Sequence, residues 1–423
     1  MKSTTIIVLL FFMIFCLSCG KDDSSNPGYH LTKGKELLDK GKYDEAIDKF
    51  RRAIELDSSL AEAHNDLARA FLYKGLPDQA ISQCKKTLEV DSTNMDALNI
   101  LGLLYLNKGL YDESFAYYKK AQEFDSTNAD VYIGLGGFYL QRGQHDEAIS
   151  HFKQAIDLDP ANSAAYHNIA YVHYLLGRLN EAEAELKKAL DLDPDYLDAH
   201  LSLGLIYSNQ GRIDEAVSQY EKAAEIYPDL ETVRHSLGVA YVRQGRLDEA
   251  IKELEKAVKL NPEFLLAHNS LGSAYWQKGE KDKAISHFEK VIQINPNFVD
   301  VHQNLGLIYY SLGEVNKAIE KFQKVSQLAP ESAVPHSYLC AIYRDNLMWD
   351  KAEQECKKAL EIDSLFLDAY CNLGLVYQKR GDLDRAISQY RRALKINPNY
   401  KLAQEVLKMA ESEKENLKKP QSP

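Results

Sequence analysis

Small, aromatic, glycine and proline residues recur along this chain with a period of 34 residues, from residue 27 to residue 400. Eleven consecutive stretches of this length fit without an insertion or deletion, and residues 129–162 show the pattern well. Counting each stretch from 1 to 34, position 8 is glycine in eight stretches and position 20 is alanine in ten. Residues this small allow two antiparallel helices to approach closely. The period therefore predicts two packed helices in every repeat.

Polar and turn-forming residues separate the two predicted helices. Position 15 is glycine in ten repeats, and position 18 is aspartate or asparagine in all eleven. Glycine just past a helix end takes the left-handed conformation that closes the helix, and we expect the following Asp or Asn to cap the second helix. Position 32 is proline in seven repeats, which ends the second helix before the next repeat begins. Each repeat is therefore predicted to be helix, short turn, helix.

The stretch 129–162 also carries a spacing known from a repeat family, in Gly136, Tyr139, Ala148, Phe152, Ala155 and Pro160. This pattern resembles the tetratricopeptide repeat (TPR) family, and the resemblance covers residues 27–400 of the 423. It implies an all-α fold, a right-handed α-solenoid of eleven 34-residue helical hairpins whose first helices line a concave groove. The tenth repeat departs from the pattern, with Cys340 at position 8 and Leu347 in place of the turn glycine.

The predicted organisation has a signal peptide at residues 1–18, then a lipid-bearing cysteine and polar tether at 19–26. The eleven repeats occupy residues 27–60, 61–94, 95–128, 129–162, 163–196, 197–230, 231–264, 265–298, 299–332, 333–366 and 367–400. Residues 401–419 place Leu402, Val406 and Met409 on one helical face and predict a capping helix that closes the last seam. Residues 420–423 are predicted to be a disordered tail.

The first residues differ in kind from the repeats. Lys2 precedes a twelve-residue apolar run at residues 6–17, which is too short to span a bilayer comfortably and is typical of a signal peptide. The residues before Cys19 resemble the lipobox of bacterial lipoproteins, although Cys16 stands where that motif usually has leucine. The resemblance implies acylation of Cys19 and a membrane anchor. A secretory signal or uncleaved anchor without lipid is the alternative.

This resemblance places the protein in a bacterial cell envelope, lipid-anchored to the periplasm-facing side of the outer membrane. Lys21, Asp22 and Asp23 resemble the export signal of surface lipoproteins in some bacteria, so display on the cell surface is a second expectation. The chain carries 51 Lys plus Arg against 62 Asp plus Glu, a net charge of -11, and no basic stripe. This charge balance argues against nucleic acid as a partner.

Candidate chemistry is sparse. No paired carboxylates, nucleophile elbow or metal-ligand cluster stands out from the repeat pattern, so no catalytic residue, metal or cofactor is predicted. Histidine occupies position 4 in six repeats, too far apart in successive hairpins to share one metal ion. Cys84, Cys340 and Cys356 stand at positions of buried residues, so buried thiols are expected. A disulfide among Cys340, Cys356 and Cys371 stays open.

The family resemblance implies that first-helix positions 2, 5, 9, 12 and 13 face the concave groove. Apolar and aromatic residues at these positions form the predicted binding stripe, namely Leu106, Leu140, Tyr171, Tyr174, Leu205, Trp276, Leu307 and Tyr310. Polar residues at position 13 are predicted to pair with the backbone of a bound peptide, namely Asn107, Gln141, Asn209, Arg243 and Gln277. In the alternative interpretation, some of the aliphatic side chains pack between adjacent first helices. Position 5 has no Lys or Arg, which disfavours the carboxylate clamp of chaperone-binding TPR domains.

These observations predict a non-enzymatic scaffold, a membrane-anchored TPR lipoprotein that binds a peptide or a partner helix in its groove, as an assembly factor of an envelope machine. The first alternative is a soluble or inner-membrane-anchored TPR adaptor without lipid. A TPR-containing transferase is disfavoured because no catalytic domain accompanies the repeats. The oligomeric state and the identity of the partner stay open.

Overall fold

The computed structural model describes residues 25–418. The predicted signal peptide, Cys19 and the tail at 420–423 lie outside the described residues. Within the described range the chain forms twenty-three α-helices and no strand. The predicted all-α fold of eleven helical hairpins followed by one further helix is therefore confirmed.

The hairpins are numbered 1 to 11 in chain order, and the helices α1 to α23. The first helices of the hairpins are α1 Pro27–Asp39, α3 Ala61–Tyr73, α5 Met95–Asn107, α7 Ala129–Gln141, α9 Ser163–Leu175, α11 Leu197–Asn209, α13 Glu231–Arg243, α15 Leu265–Lys278, α17 Val299–Ser311, α19 Val334–Asp345 and α21 Leu367–Lys379. The second helices are α2 Tyr43–Leu56, α4 Pro77–Val90, α6 Tyr111–Phe124, α8 His145–Leu158, α10 Leu179–Leu192, α12 Ile213–Ile226, α14 Leu247–Leu260, α16 Lys281–Ile294, α18 Val315–Leu328, α20 Trp349–Ile362 and α22 Leu383–Ile396. The last helix is α23 Lys401–Lys418.

The chain divides into two compact units, and the division falls within α12. Unit 1 ends at Gln219 and unit 2 begins at Tyr220. In unit 1, the interior between the helices is filled by side chains such as Leu98, Leu135 and Phe152. In unit 2, Phe288, Phe322 and Tyr390 fill the corresponding space. Because every hairpin buries its apolar seam against its neighbours, each unit has an extended core rather than a central one.

Left-handed residues close the first helices, as the sequence predicts. All ten glycines at position 15 have φ between 69° and 86°. In hairpin 1, the N–H groups of Gly41 and Lys42 donate to the carbonyls of Leu38 and Leu37 at 2.9 Å, which satisfies the last turn of α1. Leu347 takes the same conformation in hairpin 10, with φ of 60°. The turn geometry is thus retained there without glycine.

The predicted cap of the second helix is wrong. In hairpin 1 the helix α2 begins at Tyr43. The residue before it, Lys42, is at the N-cap, and its side chain makes no capping hydrogen bond. Asp44 therefore lies in the first turn, where its charge favours the helix dipole. Its carboxylate pairs with Lys74 of the following hairpin. Corresponding ion pairs between successive hairpins are Lys108–Asp78, Lys278–Asp248, Arg380–Asp350 and, from α23, Lys414–Asp384.

Close approach at positions 8 and 24 holds the two helices of each hairpin together. In hairpin 8, a methyl group added to Gly272 would lie 2.7 Å from the buried Phe288 ring. In hairpin 10, the same two positions are Cys340 and Cys356, which form a disulfide with Cα atoms 5.3 Å apart. The expectation of thiols is therefore wrong for this pair. Cys84 and Cys371 are buried thiols, and burial raises the pKa of each to about 12.

Candidate partner-binding face

Positions 2, 5, 9, 12 and 13 of the first helices define the first-helix face, the surface predicted from the sequence to bind a partner. Hydrogen bonds between residues that are 35 positions apart in the sequence join successive first helices along this face. In unit 1, His167 Nε2 lies 3.0 Å from Ser202 Oγ, and Asn209 Nδ2 donates to Tyr174 Oη at 3.2 Å. In unit 2, His235 Nε2 lies 3.1 Å from Ser270 Oγ. Each unit therefore presents its first helices side by side.

Three predicted residues of unit 1 come together around one small cavity. Tyr171, Tyr174 and Leu205 line a cavity of about 80 Å³ between α9 and α11. Tyr171 is 47% exposed and Leu205 43% exposed, while Tyr174 is half-buried. Exposed aromatic and aliphatic side chains at the edge of a cleft are typical anchor points for a protein partner. This cluster is the best-formed part of the predicted stripe.

The predicted residues of unit 1 that precede this cluster in the chain, on α5 and α7, are either packed in the core or exposed. Leu106 is 3% exposed and belongs to the core around Leu98 and Leu135. Leu140 is half-buried against the core of hairpins 4 and 5. Asn107 and Gln141 are exposed. The alternative of packing between helices thus describes Leu106 and Leu140, while the two polar residues are accessible to a ligand.

In unit 2, the predicted aromatic residues pack partly on the core. Trp276, Leu307 and Tyr310 are half-buried against it. The Tyr310 hydroxyl donates to Asp345 Oδ2 of the next first helix. Burial and this hydrogen bond raise the pKa of Tyr310 to about 12. Arg243 and Gln277 are exposed, so unit 2 offers a face with fewer accessible apolar groups than unit 1.

The histidines at position 4 lie between the two helices of a hairpin. In hairpin 6, His200 Nδ1 is 2.8 Å from Gln219 Oε1, and its Nε2 is 2.9 Å from the Pro194 carbonyl. In hairpin 8 the partner is another histidine, with His268 Nδ1 3.0 Å from His287 Nδ1. Across residues 25–418, no group of three or more His, Cys, Asp or Glu side chains is placed to hold a metal ion.

Sequence reasoning missed one feature of the first-helix face in unit 1. A pocket of about 460 Å³ opens between α5 and α7, beside Asn99, Gly134 and Gly137. The two glycines are visible in the sequence, but the empty space in front of Gly137 depends on how neighbouring helices stack. Two glycines three residues apart on one first helix, Gly134 and Gly137, are the signal in the sequence that points to it.

Among the helices described here, none has the length and apolar character needed to cross a membrane.

Comparisons with known sequences agree with the repeat pattern. Residues 266–298 and 367–400 match one profile of the tetratricopeptide repeat, residues 299–332 match a second, and residues 34–75 match a TPR repeat profile. The chain contains tetratricopeptide repeats. Residues 82–271 of this TPR array also match the C-terminal domain of cilia and flagella-associated protein 70. A comparison with curated protein sequences gave no significant match.

Solved structures with similar folds include yeast Tom70, at 15% identity and a TM-score of 0.47, with 94% of this chain and 97% of that chain covered. Human IFIT1 is 20% identical with a TM-score of 0.49, covering 89% and 95% of the two chains. MamA from Desulfovibrio magneticus RS-1 is 24% identical with a TM-score of 0.37, covering 40% of this TPR array and 96% of MamA.

Proposed function

We propose that this TPR protein is a non-enzymatic scaffold that binds an extended peptide or a partner helix on its first-helix face. The observation that carries the proposal is the cluster of Tyr171, Tyr174 and Leu205, whose apolar side chains remain accessible around a cleft in unit 1. Leaving such surface in water is unfavourable by about 25 cal/mol per Å² of apolar area, so its coverage by a partner is a source of affinity.

Polar residues beside the apolar cluster supply the specificity of a peptide site. Asn107 and Gln141 are exposed on α5 and α7, and Asn209 bonds Tyr174 beside the cleft. Carboxamide side chains both donate and accept, which suits the alternating N–H and C=O groups of an extended backbone. In unit 2, Gln277 occupies the corresponding position with the same carboxamide chemistry, while Arg243 adds a donor alone.

The membrane anchor is part of the proposal. Acylation of Cys19 would hold the array at the surface of a bacterial envelope membrane, on the periplasm-facing or the outer side, where it would help to assemble an envelope machine. The Cys340–Cys356 disulfide favours an oxidising compartment, because such bonds rarely persist among reduced cytosolic thiols. The alternative is the same scaffold without lipid, as a soluble or inner-membrane-anchored adaptor.

Metabolic labelling with a fatty acid tests the anchor. We expect label on the wild-type protein and none on Cys19→Ala, with the labelled protein in the membrane fraction. Absence of label on the wild type, or equal label on both, would leave the adaptor without lipid as the better account.

Cross-linking and capture from intact cells test the binding face. The double variant Tyr171→Ala/Leu205→Ala removes the exposed side chains of the cluster, and we expect it to recover the wild-type partner about tenfold less well or worse. Leu192→Ala is a matched control, since Leu192 is as exposed as Leu205, at 43%, but lies on a second helix. If Leu192→Ala loses the partner and the double variant keeps it, binding occurs on the second-helix surface instead.

A further inference from the structure

Hairpin 4 differs from the other ten hairpins on its first helix. It has glycine at both position 6 and position 9, Gly134 and Gly137, whereas every other hairpin carries a side chain at both. A methyl group on Gly134 would overlap the Tyr118 ring, so this glycine admits a core residue. A methyl group on Gly137 would meet no atom within 4 Å. The second glycine therefore faces open space that core packing does not explain.

This space is a pocket of about 460 Å³ in unit 1, which we name the socket. Its size lies within the roughly 300–1,000 Å³ typical of ligand sites. The apolar walls come from Ile100, Leu103, Leu106 and Ile133, with Gly137 and Tyr118 beside them. Polar side chains at the rim come from Arg69, Asp96, Asn99, Asp130 and Asn168, and Gly134 lies beside them. An apolar interior with a few polar groups at its edge fits a single apolar side chain whose own backbone remains at the rim.

Asn99 supplies a second, independent observation. Its Oδ1 atom is buried and accepts no hydrogen bond within the described protein. A buried acceptor without a donor is unfavourable, and a ligand N–H placed beside it removes that cost. The backbone amide of a peptide is the simplest group that brings such a donor together with an apolar side chain.

Charge at the rim selects the flanking residues of that peptide. Asp96 and Asp130 are exposed at the socket, against one cation, Arg69. Arg69 is drawn toward the buried Asp66, with Nη1 4.0 Å from Asp66 Oδ1. The rim therefore presents more accessible negative than positive charge, which complements lysine or arginine.

We infer that the socket takes one bulky apolar side chain of an extended partner segment, flanked by lysine or arginine, with a backbone N–H of that segment donated to Asn99 Oδ1. The inference rests on the proposed binding function of the first-helix face and names the class of segment that this part of the face recognises. Phenylalanine and leucine are the side chains whose size and apolar character match the walls.

Fluorescence anisotropy with defined peptides tests the inference on the full-length protein in detergent. The probe is labelled Gly-Ser-Lys-Phe-Lys-Ser-Gly, compared with the same peptide carrying Ala in place of Phe and with a third carrying Glu in place of both Lys. We expect the Phe peptide to bind at least about tenfold more tightly than either comparison peptide. Equal affinity for the Ala peptide, equal affinity for the Glu peptide, or no binding of the Phe peptide overturns the inference.

Filling the socket is the matching test on the protein. Gly137→Leu adds its side chain into open space, and we expect at least about tenfold weaker binding of the Phe peptide, with an unchanged circular dichroism spectrum. Ala116→Leu adds the same bulk to an exposed site of α6 and should bind as the wild type does. Asn99→Ala should weaken binding of both the Phe and the Ala peptide, because it removes an acceptor for the backbone.

The variants separate failure of the socket from failure of the proposed function. If Gly137→Leu binds the Phe peptide like the wild type while Tyr171→Ala/Leu205→Ala loses it, the socket is overturned and the first-helix face stands. If both variants bind it like the wild type, neither the socket nor the first-helix face is the peptide site.

Discussion

Gly136 and Gly137 are neighbours in α7, yet their Cα atoms face different surroundings. A methyl group on Gly136 would overlap the ring of Phe152, a side chain that is almost completely buried. A methyl group on Gly137 would enter the socket and meet nothing. The first glycine is a packing requirement of the hairpin, and the second leaves room for a ligand.

Alanine substitutions at these two sites should therefore have opposite effects on stability. Glycine to alanine in a helix interior is worth about 1 kcal/mol in propensity, and Gly137→Ala should gain roughly this amount. Gly136→Ala should lose up to about 2 kcal/mol net, because overpacking a filled core costs about 1–3 kcal/mol and the propensity gain offsets about 1 kcal/mol of it. Urea unfolding of both variants beside the wild type measures the difference, and equal midpoints would contradict the assigned packing.

The left-handed turn of hairpin 10 gives a second prediction at this scale. Leu347 has a φ of 60°, a conformation that costs a residue with a Cβ roughly 1–2 kcal/mol. Leu347→Gly should stabilise the protein by about 1 kcal/mol, since the exposed leucine side chain loses little buried area. Gly313→Leu places the same residue in the equivalent turn of hairpin 9 and should destabilise by a similar amount. Thermal unfolding of both variants checks the two signs together.

Residue patterns in the sequence predicted the small seam positions and the turn glycines, because backbone geometry leaves few alternatives there. They did not predict that Leu347 keeps the left-handed turn, since its conformation is imposed by the helices on either side. The bond between Cys340 and Cys356 was left open for a similar reason. Spacing placed both residues on one hairpin, but only the close approach of α19 and α20 brings their Cα atoms within bonding range.

At the scale of elements, the sequence predicted the order of helices better than their ends. Each second helix begins one residue before the Asp or Asn at position 18 of its repeat, as α2 does at Tyr43 before Asp44. An acidic residue is favoured both as a cap and in the first turn, so its identity alone does not distinguish the two positions. Asp44 also pairs with Lys74 of the next hairpin, and this second role of the acid cannot be seen in the sequence of one repeat alone.

Removing the disulfide should destabilise hairpin 10. The bond closes a loop with a sequence separation of 16 residues, for which loop entropy predicts about 3 kcal/mol. In Cys340→Ala/Cys356→Leu the pair copies Ala170 and Leu186 of hairpin 5, so packing is retained while the bond is lost. We expect a lower unfolding temperature for this variant, and a response to reductant in the wild type alone. An equal response of both proteins to reductant would contradict a stabilising bond.

The histidine pair of hairpin 8 should make stability depend on pH. Burial lowers the pKa of His268 and of His287, and the proximity of the two rings lowers that of His287 further, while Glu255 opposes the shift. The unfolded side chains titrate near 6.5, so below that pH the unfolded chain binds more protons than the folded one. The stabilising contribution of the neutral pair is thus complete above pH 6.5 and declines as the pH falls toward the lowered folded values.

His287→Gln tests this pH dependence. It converts the pair into the His–Gln arrangement that His200 and Gln219 form in hairpin 6. We expect a shallower loss of stability between about pH 6.5 and pH 5 than in the wild type, measured by denaturant unfolding across that range. Other histidines with lowered pKa values remain in both proteins and provide the common background. Identical pH slopes would contradict the assignment.

At the scale of the whole molecule, residue position predicted which residues share the first-helix face, but not which side chains on it remain accessible. Tyr171 and Leu205 are exposed, whereas Leu106 is enclosed and Tyr310 is bonded to the following hairpin. The accessibility of a side chain depends on which side chains the adjacent repeat places next to it. The 34-residue pattern gives the position of each residue but does not contain this information. The socket was missed for the same reason, because it lies between repeats rather than within one.

Repeat stacking also predicts that damage stays local. Val406 of α23 is 3% exposed, so Val406→Asp buries a charge at the end of unit 2. Because stability in such arrays is a sum of repeat and neighbour terms, we expect faster hydrogen exchange in α21 and α22, and no change in α3 and α4. Met409→Asp, at an exposed site of the same helix, is the control and should alter neither region. A uniform increase across both units would contradict nearest-neighbour stability.

The hydrogen bonds between successive first helices also identify which hairpin belongs next to which. Eleven hairpins of similar shape and seam could dock in a wrong order, since their apolar contacts are nearly interchangeable. The polar pairs are of several kinds: His–Ser occurs twice, as His167–Ser202 and His235–Ser270, and the others are Tyr174–Asn209, Tyr310–Asp345, Ser337–Asn372 and, to α23, Gln378–Glu413. A hairpin docked on the wrong neighbour leaves the part-buried pairs, His167–Ser202, His235–Ser270 and Ser337–Asn372, unmatched, at a cost that the correct order avoids. Small polar differences between the repeats thus favour the correct order of docked hairpins as the chain folds.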